Sequence, residues 1–263
     1  MGVFRKAPGP ERLSLGENKE SSVSIEELAR KNFEALSRNS YPGRGIVVGL
    51  SSDGNAMLQV YWIMGRSSNS RNRVFSVHGE EMRTKAFDES KLEDPSLIIY
   101  WPMRVVGRAH VVTNGDQTDT IADAMREGGE FDQALAKREF EPDAPNFTPR
   151  ISAVVDLDDA NAYRLSILKA ADPEGDSCNR QFFHYEQARR GVGHFVSTYQ
   201  GDGNPLPSFA GEPLPMPLPA TAEEAAELYW NALDAGNRVS LAVKSIPLDG
   251  GPSKIVVVNS HSK

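Results

Sequence analysis

The sequence predicts an α+β chain of two mainly antiparallel sheets with helices packed outside them. Three observations carry that reading. Strands come in runs, broken by a pair of helices and again by a single helix before a closing hairpin, and do not alternate regularly with helices as a doubly wound parallel sheet requires. The turn Asp53-Gly54-Asn55 joins two apolar runs, a strong hairpin signal because glycine accepts positive φ. Neither GxGxxG nor GxxxxGK[ST] occurs anywhere, and "GRGIVVG" (43–49) matches neither.

Element by element, residues 1–22 are polar, contain Gly and Pro and lack periodicity, so a flexible leader is expected before a domain over 23–263. Ser24 opens a helix with Glu27 three residues on, a capping box, and Ile25, Leu28, Ala29, Phe33 and Leu36 share a face. "GIVVGLSS", "AMLQVYWIM", "RVFSVH", "SLIIYWPMRVVG" and "AHVVTN" read as strands, with Tyr100 at the end of the fourth. Thr118–Glu127 and Phe131–Phe140 read as two short helices around Gly128-Gly129, with Thr118, Asp119 and Thr120 capping the first. "RISAVVDL", "YRLSILKA", "RQFFHYEQ" and "HFVSTYQ" return to strand. The prolines of 203–220 forbid helix and central strand and predict an extended strap over the surface. Thr221 and Glu224 form a second capping box, Gly236 stands where a C′ residue belongs, and "VSLAVKSIPL" and "KIVVVNS" make a closing hairpin.

Composition narrows the function. With 39% apolar and 25% charged residues, the 263-residue chain is too apolar for general disorder and long enough to bury a core. A net charge of −7 repels nucleic acid and anionic membranes, so any anionic ligand needs a local basic cluster. The single cysteine, Cys178, excludes a disulfide framework and a Cys-based zinc cluster, and it reads as an ordinary half-buried thiol. "HGEE" (78–81) is a poor metal site. No apolar run approaches the ~20 residues of a membrane span, and no signal-peptide core opens the chain, so a cytoplasmic address is expected.

Four stretches offer chemistry. In "VVTNGDQTDTIADAM" (111–125), seven of the eight residues TNGDQTDT carry a hydroxyl, amide or carboxylate. They make either a capped strand-to-helix turn or the floor of a ligand site. "GRSSNSRNR" (65–73) sets three arginines among Ser and Asn, suited to phosphate or equally to a solvated loop. Tyr100 reads as a core tyrosine with its hydroxyl satisfied at the surface. Glu141 and Thr148-Pro149-Arg150 lie in a Pro-rich segment before a strand.

Taken in order, "YPGRGIVVG" (41–49), "RNR" (71–73), "IIYWPMRVVG" (98–107), "VVTNGDQTDTIADAM", "FTPRISAVV" (147–155) and "VSTYQG" (196–201) closely resemble the archaeal-type IMP cyclohydrolases. The resemblance implies an Ntn-hydrolase-like four-layer αββα sandwich without the self-cleaved N-terminal nucleophile, and the chain has no obvious residue poised for that role. It implies closure of the purine ring of 5-formamidoimidazole-4-carboxamide ribonucleotide to IMP with loss of water, a hydrolase-class reaction of purine biosynthesis. No cofactor or metal is expected, the partner is a purine nucleotide, and a homo-oligomer is expected. By the same resemblance, Arg73 stabilises an anion or developing oxyanion, Tyr100 donates or relays a proton, and Glu141 is the base or orients the carboxamide. Asn114, Gly115, Asp116, Thr118 and Asp119 would contact the nucleotide, with Thr148 and Arg150 beside them, and Arg44 and Arg66 would bind phosphate. Two other readings keep the fold: an amidohydrolase acting on a related C–N bond, and a purine-nucleotide-binding module without turnover.

Overall fold

The computed structural model describes residues 23–92 and 99–261. The expected leader and the start of "SLIIYWPMRVVG" lie outside the described residues. In chain order come α1 (Ile25–Ser37), β1 (Gly45–Leu50), β2 (Ala56–Met64), the single turn α2 (Ser68–Arg71), β3 (Val74–His78) and β4 (Glu81–Lys85). Then follow β5 (Met103–Val106), β6 (Ala109–Thr113), α3 (Gln117–Arg126), α4 (Phe131–Leu135), β7 (Arg150–Asp156), β8 (Tyr163–Ala170), β9 (Cys178–Tyr185) and β10 (Val192–Ser197). The chain closes with β11 (Leu214–Pro217), α5 (Ala222–Ala232), β12 (Arg238–Pro247) and β13 (Lys254–Asn259).

Two antiparallel sheets result, one in the order β11-β10-β1-β2-β12-β13 and the other β3-β4-β5-β6-β7-β8-β9. Alternation along the strands decides what each face covers. On β7, Ile151, Ala153 and Val155 join the core shared with the first sheet, whereas Val154 joins Val111, Ile121, Phe131 and Leu135 under α3 and α4. On the first sheet, Trp62 is fully buried and stacks between Phe195 and Tyr229, so α5 is tied to β2 and β10 through aromatic contacts. Its register partner is Gly45, where a Cβ would come within 2.1 Å of the indole, so only glycine admits that packing. With α1 and α5 on one outside and α3 and α4 on the other, the layers run helix, sheet, sheet, helix.

Several local expectations change. Ser24 caps the Glu27 N–H of α1, but only Thr221 and Glu224 form the reciprocal box. Helix α5 ends at an extended Leu233, so Gly236 is not its C′ residue. Helix α4 stops at Leu135 and does not reach Phe140. Tyr100 lies outside β5, because the strand begins after Pro102, and it pairs instead with Thr84 through backbone and hydroxyl bonds. Strand β4 was not expected: its exposed face is charged and only Met82 and Thr84 are buried. The basic loop contains the turn α2, opened by the Ser67 hydroxyl accepting from Ser70 N–H. The proline strap stays extended and adds β11 as an edge strand, where a missing N–H is tolerated. Cys178 is half-buried, and burial raises its thiol pKa.

Two histidines titrate against this packing. Burial holds His110 at about 4, with Lys244 adding repulsion, and burial holds His194 at about 4. An unfolded chain protonates both below about pH 6.5, where the folded chain does not, so stability is complete above that pH and falls as pH drops toward 4. At pH 5 the loss should be about 2 kcal/mol for His110 and less for the half-buried His194. Denaturant titrations at pH 7 and pH 5 measure it; His110→Gln should flatten the dependence, and an unchanged slope would refute the assignment.

Candidate active site

The site forms where both sheets end on the same side. β1 begins at Gly45 opposite Trp62 and Ser197, while β6 ends at Thr113 opposite Ser152 of β7. Connections from both sheets therefore converge there and line a cavity of about 420 Å³. The β2–β3 connection supplies Arg66, Ser67, Asn69, Ser70 and Arg73, and the segment before β7 supplies Glu141, Asp143, Asn146 and Thr148. Tyr41 and Arg44 enter beside β1, Tyr199 after β10, and Leu206 from the strap.

Arg44 is the centre of the wall. Its Nη2 donates to Glu141 Oε2 at 3.0 Å and its Nη1 to the Asn114 carbonyl at 3.3 Å, with the ion pair's side chains only 12% and 8% exposed. Burial opposes the Arg44 charge, but the Glu141 carboxylate and the neighbouring Tyr100, Tyr199 and Tyr61 oxygens outweigh it and raise its pKa. Behind it the Tyr61 and Tyr100 hydroxyls meet at 2.7 Å, and burial first, then Tyr100, pushes the Tyr61 pKa well up. Arg73 is 4% exposed, donating Nε to the Ser70 carbonyl at 2.8 Å and Nη2 to that of Met64 at 3.5 Å. Arg66 sits at the rim, paired with Asp202 and 4.7 Å over the Tyr41 ring.

Of the residues expected at the site, Arg44, Arg66, Arg73, Glu141 and Thr148 line the cavity. Tyr100 does not; it stands behind Tyr61 and Arg44. The "TNGDQTDT" turn also stays out of the cavity and serves as its support. Asn114 Oδ1 accepts from Gln117 Nε2 and Ile151 N–H, and its Nδ2 donates to the Pro149 carbonyl. A Cβ on Gly115 would strike Arg150 and Gln117, both at 2.7 Å. Thr118 turns its hydroxyl inward to Gly115 and Thr113, and Asp119 pairs with Arg104 at 2.6 Å, so neither caps α3 as expected. Asp116 holds Arg138 and Arg150 at 2.6 Å each; burial works against its charge, and the two guanidiniums prevail and lower its pKa. Arg150 also donates to Gln117 Oε1, and burial lowers its own pKa.

Sequence reasoning missed Tyr41, Tyr61, Asn69, Asp143 and Tyr199. Tyr41 and Tyr199 stood in the quoted stretches without being singled out, and these two stack at 6.1 Å. Asp143 had only its place two residues after Glu141 as a signal.

The Arg44–Glu141 pair makes a stability prediction. Removing one partner leaves the other buried and uncompensated, which costs about 3–5 kcal/mol. Glu141→Ala should therefore lower unfolding free energy by about 3 kcal/mol in urea titrations; a change below about 1 kcal/mol, the range of exposed pairs, would mean that solvent already screens the pair.

Among the described residues no helix is long and apolar enough to cross a membrane. The chain is 35% identical over 127 residues to an IMP cyclohydrolase of Methanococcus maripaludis, a match covering 46% of this chain and 60% of that protein. It is 30% identical over 172 residues to an IMP cyclohydrolase of Methanopyrus kandleri, covering 64% of this chain and 79% of the relative. A Methanococcus aeolicus IMP cyclohydrolase is 31% identical over 127 residues, covering 47% and 61%. The chain thus spans about three fifths of the length of the Methanococcus relatives. Residues 41–250 match the IMP cyclohydrolase-like protein family. With this span of match and the Methanopyrus coverage, the chain belongs to the IMP cyclohydrolase-like protein family.

Proposed function

We propose that this cavity closes the purine ring, converting 5-formamidoimidazole-4-carboxamide ribonucleotide to IMP and water. The observation that carries the reading is the convergence of Arg73 and Glu141, both buried, and of the nearly buried Arg44 on one polar cavity in a chain of this family. A volume of about 420 Å³ lies within the range of roughly 300–1,000 Å³ usual for small-molecule sites.

The chemistry asks for little. The carboxamide nitrogen attacks the formyl carbon, the formyl oxygen becomes a hydroxyl, and that hydroxyl leaves as water. Two protons leave nitrogen, one from each, and two reach the same oxygen. Since both reacting groups sit on one imidazole ring, the enzyme gains most by freezing their rotamers. Glu141, held in place by Arg44, is suited to accept from the carboxamide N–H and orient it. Arg73, whose guanidinium bonds only Ser70 and Met64 among the described residues, is suited to the oxygen as it gains negative charge. Arg66, Ser67 and Ser70 fit the 5′-phosphate by charge and hydrogen-bonding type. Tyr100, outside the cavity, positions Arg44 through Tyr61. Asp116 and Arg150 buttress the floor, with Asn114 and Gly115 fixing the backbone that Arg44 grips.

Purified protein incubated with the formamido ribonucleotide should release IMP, followed by chromatography. Arg73→Ala should lower kcat by about 10²–10³, the usual cost of losing an oxyanion donor. Tyr100→Phe should cost less, because its hydroxyl acts at one remove. IMP or AMP raising the melting temperature without any turnover would place the protein among nucleotide-binding modules. Release of an amine or acid from another amide would favour an amidohydrolase.

A further inference from the structure

Asp143, Thr148 and Tyr199 all line the cavity, and they are hydrogen-bonded to one another in a chain. Thr148 Oγ1 lies against Asp143 Oδ2 and 2.6 Å from the Tyr199 hydroxyl, while Thr148 N–H donates to Asp143 Oδ1 at 2.7 Å. The direction of the chain follows from valence. A carboxylate only accepts, so Thr148 must give its single hydroxyl proton to Asp143. Thr148 then accepts the Tyr199 proton. Donation runs one way, from Tyr199 to Thr148 to Asp143.

The elements fix this geometry. Tyr199 is held by its N–H donating to the Pro42 carbonyl, by its carbonyl accepting from Ser197 Oγ, and by the stacked Tyr41 ring. Thr148 is fully buried just before β7, and its carbonyl accepts from Glu141 N–H, which ties the chain to the Arg44–Glu141 pair. Burial raises the Tyr199 pKa, which keeps the phenol protonated and able to donate.

Resting on the ring-closure reading above, we infer that Tyr199, Thr148 and Asp143 form a proton relay that carries a proton from the attacking carboxamide nitrogen to the formyl oxygen. As the N–C bond forms, the Tyr199 oxygen takes the carboxamide proton and its own proton passes to Thr148. The Thr148 proton passes to Asp143, and the carboxyl so formed protonates the formyl oxygen as its C=O π bond opens. In the second step the formamido N–H proton follows the same route to the carbinol hydroxyl, which departs as water while the C=N bond forms. Each cycle returns all three side chains to their starting protonation, so no co-reactant is needed. Tyr199 and Asp143 are the catalytic residues of this relay, and Thr148 acts through both.

The test measures IMP formation by the full chain in H2O, D2O and mixtures of the two. A relay in which several protons move together predicts a solvent isotope effect on kcat with a bowed proton inventory. Thr148→Val should lower kcat by about 10²-fold, in the range of a lost general acid–base group, while KM changes less than about threefold. Thr148→Ser should restore kcat to within a few fold. Tyr199→Phe keeps the ring stack and removes the entry point, with the same expected loss. Asp143→Asn keeps the acceptor for Thr148 N–H but presents an N–H donor to Thr148 Oγ1, reversing the chain, and should lose kcat likewise. Melting temperatures and IMP binding of each variant report fold and pocket. Turnover by the unsubstituted protein with kcat unchanged in these variants overturns the relay alone. Losses in which KM rises as kcat falls, or which Thr148→Ser does not rescue, assign the trio to pocket structure and overturn it too. No IMP from the unsubstituted protein overturns the ring-closure reading itself.

Discussion

The buried Arg44–Glu141 pair is the constraint around which this end of the molecule is built. A guanidinium taken out of water must be paired and hydrogen-bonded, and here both partners come from the sheet opposite its own. Arg44 leads into β1 of one sheet, whereas Asn114 and Glu141 flank β6 and β7 of the other. One side chain therefore locks the mouths of the two sheets together and fixes the distance across which a ligand must fit. That the pair is costly to bury argues for a use beyond stability, and a polar cavity directly beside it supplies one.

The supporting groups extend outward in order. In the turn, the Asn114 side chain accepts from Gln117 and Ile151 and donates to Pro149, which holds in place the residue whose carbonyl Arg44 grips. Asp116 with Arg138 and Arg150 closes the floor behind Glu141. Tyr61 and Tyr100 close the space behind Arg44. On the strap, Leu206 N–H donates to Asn146 Oδ1 and the Phe209 carbonyl accepts from Lys169 Nζ, so proline-rich chain becomes an ordered wall of the cavity. The polar groups that line the cavity thus sit on connections while the strands beneath set their spacing.

Much of the layering was legible in the sequence because it depends on period. The β2 run and the Asp53-Gly54-Asn55 turn could scarcely be read otherwise, and the Thr221–Glu224 box formed as its spacing demands. The misreadings share a cause. Strand β4 hides behind Glu81, Arg83 and Lys85, whose charges suit its exposed face but mask the Met82 and Thr84 alternation. Gly236 looked like a cap only because sequence cannot show that the helix had already ended at Leu233. At the site, the family resemblance marked Arg73 and Glu141 as candidates, but neither it nor residue type told which polar groups would spend themselves internally. Thr118 and Asp119 read as helix caps and nucleotide contacts in "TNGDQTDT" and are instead occupied by Thr113, Gly115 and Arg104. Tyr199, which nothing in the sequence singles out, holds its hydroxyl in the cavity wall.

The central claim is that the cavity beside Arg44 and Glu141 holds the nucleotide during ring closure. A crystal structure of the protein grown with IMP tests it directly. The account predicts the purine ring in that cavity, its six-membered ring within hydrogen-bonding distance of Glu141 and of the Tyr199–Asp143 chain, and its phosphate among Arg66, Ser67 and Ser70. IMP bound instead in the groove that Phe33, Ser37, Leu228 and Ala232 line between α1 and α5, or bound beside Arg44 with its six-membered ring turned away from Glu141, would contradict it.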